Sequence, residues 1–191
     1  MGETMSDELI TRVEETLDKD EEQLKDDLPD LLNDIQGQEK ELITENPEVF
    51  AKVIGRMDDI DIASFYEDEP EAGNQFQDLL WTGVNVLVEE NPEIKDQIAA
   101  DITANFEADD CPMEGHLDVN AGEETITGGS GPVADPDLTL TGPADTLTGL
   151  ITGGIDPVQG FMQQQYELDG SVQKGTQLAS VMGEITDNVP N

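Results

Sequence analysis

Positive charge is what this chain lacks most. Eight Lys and Arg stand against 45 Asp and Glu in 191 residues, a net charge of −37. Nucleic-acid binding is disfavoured, because phosphate contacts need clustered Lys and Arg. Cys111 is the only cysteine, which excludes an intrachain disulfide and a multi-thiolate metal site. His116 is the only histidine. Together with Cys111 it offers two soft ligands where a structural zinc takes four. A Ser-His-Asp hydrolase needs a serine elbow, and Gly128-Gly129-Ser130-Gly131-Pro132 is one glycine short of it. Neither phosphate-cradling glycine fingerprint occurs. Asp118, Asn120 and Gly122 lack the spacing of a calcium loop. No apolar run approaches the ~18 residues of a membrane span. Residues 1–20 carry neither the basic nor the apolar region of a secretory signal. A soluble, cytoplasmic protein without metal, cofactor or catalytic centre is expected.

The acids that are present run from Glu3 to Asp187, unlike the single block of an interaction tail. Such charge repels itself at low salt and is screened at about 1 M, where the Debye length is about 3 Å. A salt-adapted, haloarchaeal-type cytoplasm explains it better than an acidic chaperone or cation buffer does. Acidity then reports habitat and not activity. Paired carboxylates are so common here that they say nothing about acid–base catalysis.

Apolar residues make up 36% of the chain, enough for a packed core, and they are periodic. Leu9, Ile10, Val13 and Leu17 share one helical face, and Leu24, Leu28, Leu31, Leu32 and Ile35 repeat the pattern. Pro29 is expected to kink or split the second helix, by removing a donor and crowding the preceding turn. Gly37 is expected to end it. Asn46-Pro47-Glu48, Glu69-Pro70-Glu71 and Asn91-Pro92-Glu93 recur about every 22 residues and read as helix starts, with Asn caps and Pro at the first position. The strongest helix begins near Pro70, with Ala72, Phe76, Leu79, Leu80, Val84, Leu87 and Val88 in one stripe.

Beyond residue 100 the period becomes two: Ile102, Ala104 and Phe106, then Met113, Leu117 and Val119, then Leu138 and Leu140. Thr125–Thr127 supplies a short strand, and the Gly-rich stretch after it reads as a loop. Turn signals between the runs suit an antiparallel meander. Helical spacing returns at Pro143–Ile151 and Pro157–Met162, followed by a strand at Tyr166–Leu168 and a last helix through Leu178, Val181, Met182 and Ile185. This order predicts an α+β fold: a twisted, mainly antiparallel sheet of about five strands, helices over one face, and N-terminal helices before it. The boundaries expected are 1–69 for an acidic helical extension, 70–188 for the sheet domain and 189–191 for a tail.

The run Gly153-Gly154-Ile155-Asp156-Pro157-Val158-Gln159-Gly160-Phe161-Met162, then Tyr166-Glu167-Leu168-Asp169-Gly170 and Lys174 to Leu178, resembles the C-terminal signature of the sterol carrier protein type 2 superfamily. Asp137–Thr141, the helix to Ile151, and Phe76–Asp96 resemble its preceding strand, helix and opening helix, so coverage is about 72–186. The resemblance implies a non-catalytic lipid carrier. An apolar tunnel between sheet and helices would hold a fatty-acyl, isoprenoid or sterol-like chain. Residues expected to face it are Phe106, Leu140, Leu147, Ile151, Phe161, Met162, Leu178 and Met182, each of which also reads as ordinary core. Membrane contact is expected to be transient at most. The competing reading is a protein-interaction or regulatory module with a closed core and no ligand. It draws on residues 6–36, whose apolar faces need burial against the sheet domain, a second copy or another protein.

Overall fold

A computed structural model of the protein describes residues 7–152 and 154–188. The tail expected at 189–191 lies outside the described residues. The chain opens with α1 (Asp7–Leu17), α2 (Glu21–Ile35), α3 (Glu39–Glu45), α4 (Pro47–Asp58) and α5 (Ile62–Asp68), followed by the long α6 (Pro70–Glu90) and short α7 (Pro92–Gln97). Strands β1 (Ile102–Ala108), β2 (Glu114–Asn120), β3 (Thr125–Ser130) and β4 (Leu138–Gly142) lead to α8 (Ala144–Thr152), α9 (Pro157–Met162), β5 (Glu167–Gly170) and α10 (Val172–Asn188).

The sheet order is β3-β2-β1-β4-β5. The β1–β2–β3 meander is antiparallel, as expected, and so is the β4–β5 pair; β4, however, returns beside β1 in parallel. The sheet is therefore mixed. Parallel pairing requires a crossover, and the segment between β3 and β4 supplies it. Alternation then sorts the side chains. Ile102, Ala104, Phe106, Leu117, Val119, Ile126, Leu138 and Leu140 are buried under the helices, whereas Thr103, Glu107, Asp118, Thr139 and Thr141 alternate with them on the opposite face.

Helix α6 lies across β3, and its position overturns the reading of the Gly-rich stretch as a loop. Gly128, Gly129 and Ser130 are strand residues. A Cβ on Gly128 would come within 2.5 Å of Trp81 Cδ2 and 2.7 Å of the His116 carbonyl oxygen. Glycine is there so that the indole can lie on the strand.

Two local expectations are also corrected. Pro29 sits inside an unbroken α2. Its lost hydrogen bond is offset by the buried row Leu24, Leu28, Leu31, Leu32 and Ile35, so the helix is not split there. Asn46 and Asn91 make no side-chain N-cap bond. The Asn91 Nδ2 donates instead to the Leu87 carbonyl at 2.8 Å, closing the end of α6. Side-chain caps form at Asp20, Asp61, Asp156 and Ser171, each accepting from the amide three residues on. Gly37 does follow the end of α2, with φ +87.

The apolar faces of α1 and α2 are covered within the chain, against α4 and α6. The buried side chains of the N-terminal helices join those of the sheet region in one continuous core.

Candidate functional site

Leu140 sits on β4, paired with Phe106 on β1 and Leu168 on the edge strand β5. The period of two sends all three to the helix side. Above them lies α10, whose Gly175, Leu178, Ala179 and Met182 fall at helical spacing on one face. Leu150 from α8, with Pro157 and Tyr166, closes the ring around an apolar void of about 30 Å³. Tyr166 is held by its hydroxyl, which donates to the Pro157 carbonyl at 2.7 Å. Burial pushes the phenol above its ordinary pKa, with Asp156 adding to the effect. Gly175 permits close approach of α10 to β5, since a Cβ there would meet Leu168 Cδ2 at 2.8 Å. The start of α10 is tied to the sheet by Lys174, whose Nζ is 2.9 Å from Asp137 Oδ2. That carboxylate also accepts from the Thr103 amide at 3.0 Å.

Of the eight residues expected to face a tunnel, four meet at this void: Phe106, Leu140, Leu178 and Met182. Leu147 is fully buried within the core without lining the void. Ile151, next to Leu150 on α8, turns to another pocket beneath the N-terminal helices. Phe161 and Met162 are 53% and 76% exposed. They edge an open groove with Glu107, Thr139, Thr141, Glu167 and Asp169, on the polar face of the sheet. Three carboxylates make that groove a poor seat for an alkyl chain. Sequence reasoning missed Gly175 and Ala179, although the spacing 175, 179, 182 marks a helix face of small and flexible residues. It also missed Tyr166, whose role depends on a hydroxyl bond that sequence does not display.

The remaining reactive side chains are placed structurally. His116 lies on β2 with Nδ1 2.9 Å from the Gly131 carbonyl oxygen. Burial pushes the Cys111 thiol up, away from the thiolate a nucleophile needs. No group of three or more His, Cys, Asp or Glu among the described residues is arranged to hold a metal ion.

The model of the SCP-2 sterol transfer family matches residues 85–183, just over half of the chain. The chain belongs to this family. The SCP-2 match starts inside α6 and ends inside α10, so it contains all five strands and the whole of the void's lining, and leaves α1–α5 outside. Among solved structures, a UbiJ-SCP2 ubiquinone synthesis protein is similar with TM-score 0.46 and 13% identity, over 64% of this chain and 97% of that one. The sterol carrier protein domain 2 of Helicoverpa armigera is similar with TM-score 0.41 and 16% identity, over 56% of this chain and 85% of that one. The sec-alkylsulfatase Pisa1 from Pseudomonas sp. aligns over 97% of this chain and 30% of its own length, with TM-score 0.42 and 12% identity. A search of curated proteins finds no match. No helix among the described residues is long and apolar enough to cross a membrane.

Proposed function

We propose that this SCP-2 protein binds an apolar lipid, fatty-acyl, isoprenoid or sterol-like, between the sheet and α10, and carries it chemically unchanged. The observation that carries this reading is the apolar void within the matched segment, floored by Phe106, Leu140 and Leu168 and roofed by Leu178, Ala179 and Met182. Small-molecule sites are mostly apolar and lie between elements in this way.

At about 30 Å³ the void has room for about one water, so a lipid enters only as α10 lifts from β5. The helix suits that motion. Gly175 and Ala179 are its small contacts with the void, Met182 has a flexible thioether, and Lys174–Asp137 is a partly exposed ion pair worth about 1 kcal/mol at most. Each methylene buried contributes about 0.8 kcal/mol, so roughly ten of them outweigh the loss of that pair many times over.

The small void also favours one competing reading, a closed-core interaction module. Met182 separates the two. Met182→Leu roughly conserves volume and is expected to cost less than about 1.5 kcal/mol. Met182→Trp is expected to occupy the lipid's place: the parent binds a fluorescent fatty-acyl probe and the Trp variant loses it, while the indole overfills the resting void at a cost of about 1–3 kcal/mol. A parent that binds no acyl probe would leave the interaction module standing.

We take the division at residues 69 and 70 as that between an added helical layer and the carrier domain. The acid excess is taken as adaptation to a salt-rich cytoplasm.

A further inference from the structure

The two edges of the sheet are finished differently. Strand β3 forms one edge and β5 the other. Beside β3, side chains of α6 reach the backbone: Asn85 Nδ2 donates to the Ile126 carbonyl at 3.1 Å, and the Asp78 carboxylate accepts from the Ser130 amide. Strand β5 has no such cover. The Ser171 amide donates inward, to the Asp137 carbonyl just ahead of β4. Antiparallel pairs alternate, so Asp169 and Glu167 also bond inward, while Leu168 and Gly170 turn their N–H and C=O groups outward. No other backbone segment among the described residues bonds to either of them.

Open strand edges are commonly blunted by shortness and charge, and β5 has four residues, two of them Glu167 and Asp169. These acids disfavour a second copy of this chain, whose own Glu167 and Asp169 would stand opposite them. They do not explain the apolar side chains alongside. Val158, Phe161, Met162 and Val172 are the large hydrophobics that stay exposed among the described residues. All four lie on α9 and at the first position of α10, the elements before and after β5. Phe161 and Met162 line one groove with Glu167, Leu168 and Asp169, joined by Glu107 from the outer face of the sheet, and no Lys or Arg lines it.

We propose that the β5 edge is a docking site for an extended segment of a partner protein, with arginine or lysine at alternate positions, that adds to the sheet as a further strand. Strand addition supplies main-chain bonds at Leu168 and Gly170 and sorts the partner's side chains by the period of two. Those on the outer face meet Glu167 and Asp169. Arginine suits both parts of the groove, since its guanidinium pairs with carboxylates and its aliphatic stem lies along Phe161 and Met162. Four strand residues give a contact only about 14 Å long, so the complex is transient. The site does not depend on lipid binding under α10.

The test uses the full chain in molar potassium chloride, where long-range attraction to an acidic chain is screened. The probe is the capped peptide Val-Arg-Val-Arg-Val. Its controls are Val-Glu-Val-Glu-Val and the arginine peptide N-methylated at alternate amides, which keeps the charge and removes donors. Amide NMR is expected to show saturable shifts and slowed exchange at Leu168 and Gly170 with the arginine peptide, sparing β3. The glutamate peptide is expected to bind about tenfold more weakly, two attractive cross-strand pairs having become repulsive. The N-methylated peptide is expected to lose about tenfold through its missing main-chain bonds. Glu167→Lys combined with Asp169→Lys, both on the exposed edge, is expected to reverse the preference between the charged peptides while thermal unfolding stays cooperative. Phe161→Ser is expected to weaken the arginine peptide about threefold, as for an exposed cation–π contact. Equal binding of the N-methylated peptide, shifts centred on β3, or no saturable shift would each overturn the docking site. So would a parent that sediments as a dimer with its β5 amides protected, which assigns the edge to a second copy. Flotation of the parent with phosphatidylcholine vesicles, abolished by Phe161→Ser, would overturn it in favour of a lipid surface. None of the peptide outcomes bears on acyl-probe binding under α10, so the two proposals fail separately.

Discussion

At the residue scale, glycine positions in β2 and β3 determine how α6 sits on the sheet. Gly128 and Gly115 stand where Trp81 and Gln77 descend onto the strands. Gln77 Nε2 donates to the Glu114 carbonyl at 3.0 Å, and Trp81 packs on Phe106 with ring centroids 5.7 Å apart. Trp81 is the only tryptophan and is buried, so its emission reports this contact directly. Gly128→Ala places a methyl group against the indole and against backbone, where nothing flexible can yield. The expected loss is about 1–3 kcal/mol, as for overpacking in general. Urea unfolding followed by Trp81 fluorescence reads it, and an unchanged midpoint would show that α6 can slide along β3.

At the element scale, α10 is the part on which the proposed lipid entry depends. Its N-terminus is held by Lys174 on Asp137, which also bonds the Thr103 amide. The Lys174 hydrogen bond first, and the Thr103 amide second, hold the Asp137 carboxyl below its ordinary pKa. A carboxyl lowered in the folded state contributes stability that is fully present above its unfolded pKa, about 3.9, and is lost as pH falls through the lower folded value. Both side chains are about a third exposed, so the contribution is small, about 0.5 kcal/mol. Lys174→Met is expected to raise the Asp137 titration midpoint in carboxyl NMR. It is also expected to speed exchange of the first-turn amides of α10 at pH 7. An Asp137 midpoint identical in the two proteins would remove the ion pair from the account of how α10 is fastened.

Across the whole molecule, charge dominates. Seven ion pairs form among the described residues, most with substantially exposed partners, so pairing neutralises little of the −37. The remaining acids repel each other, and only screening relieves them. The unfolding temperature is expected to rise by about ten degrees or more between dilute buffer and molar potassium chloride, since one kcal/mol shifts a domain of this size by about 2–4 °C. Calorimetry at the two salt concentrations checks this. A midpoint that does not move would reject salt adaptation as the reason for the acid excess.

Period and punctuation alone determined much of the architecture. The stripe from Ala72 to Val88, the alternation in β1, β2 and β4, and the return to helix at Leu147 and Leu178 each follow from which positions a helix or strand turns inward. Such patterns are local, so they survive in a sequence without coordinates. Tertiary structure decided what depends on a neighbour. Gly128 looks like a loop residue until Trp81 lies on it, and Pro29 looks like a breaker until the buried leucines around it hold α2 together. Neighbours also divided the candidate site. Leu150 and Ile151 are adjacent and alike in sequence, but α8 is wedged between two cavities, so consecutive side chains face different ones. Phe161 and Met162 have the composition of core, but α9 is a single turn and a half whose buried positions are Pro157 and Gly160, and Phe161 reaches only the edge of Tyr166, ring centroids 6.1 Å apart. Periodicity reveals that a face is apolar; only packing decides what it meets.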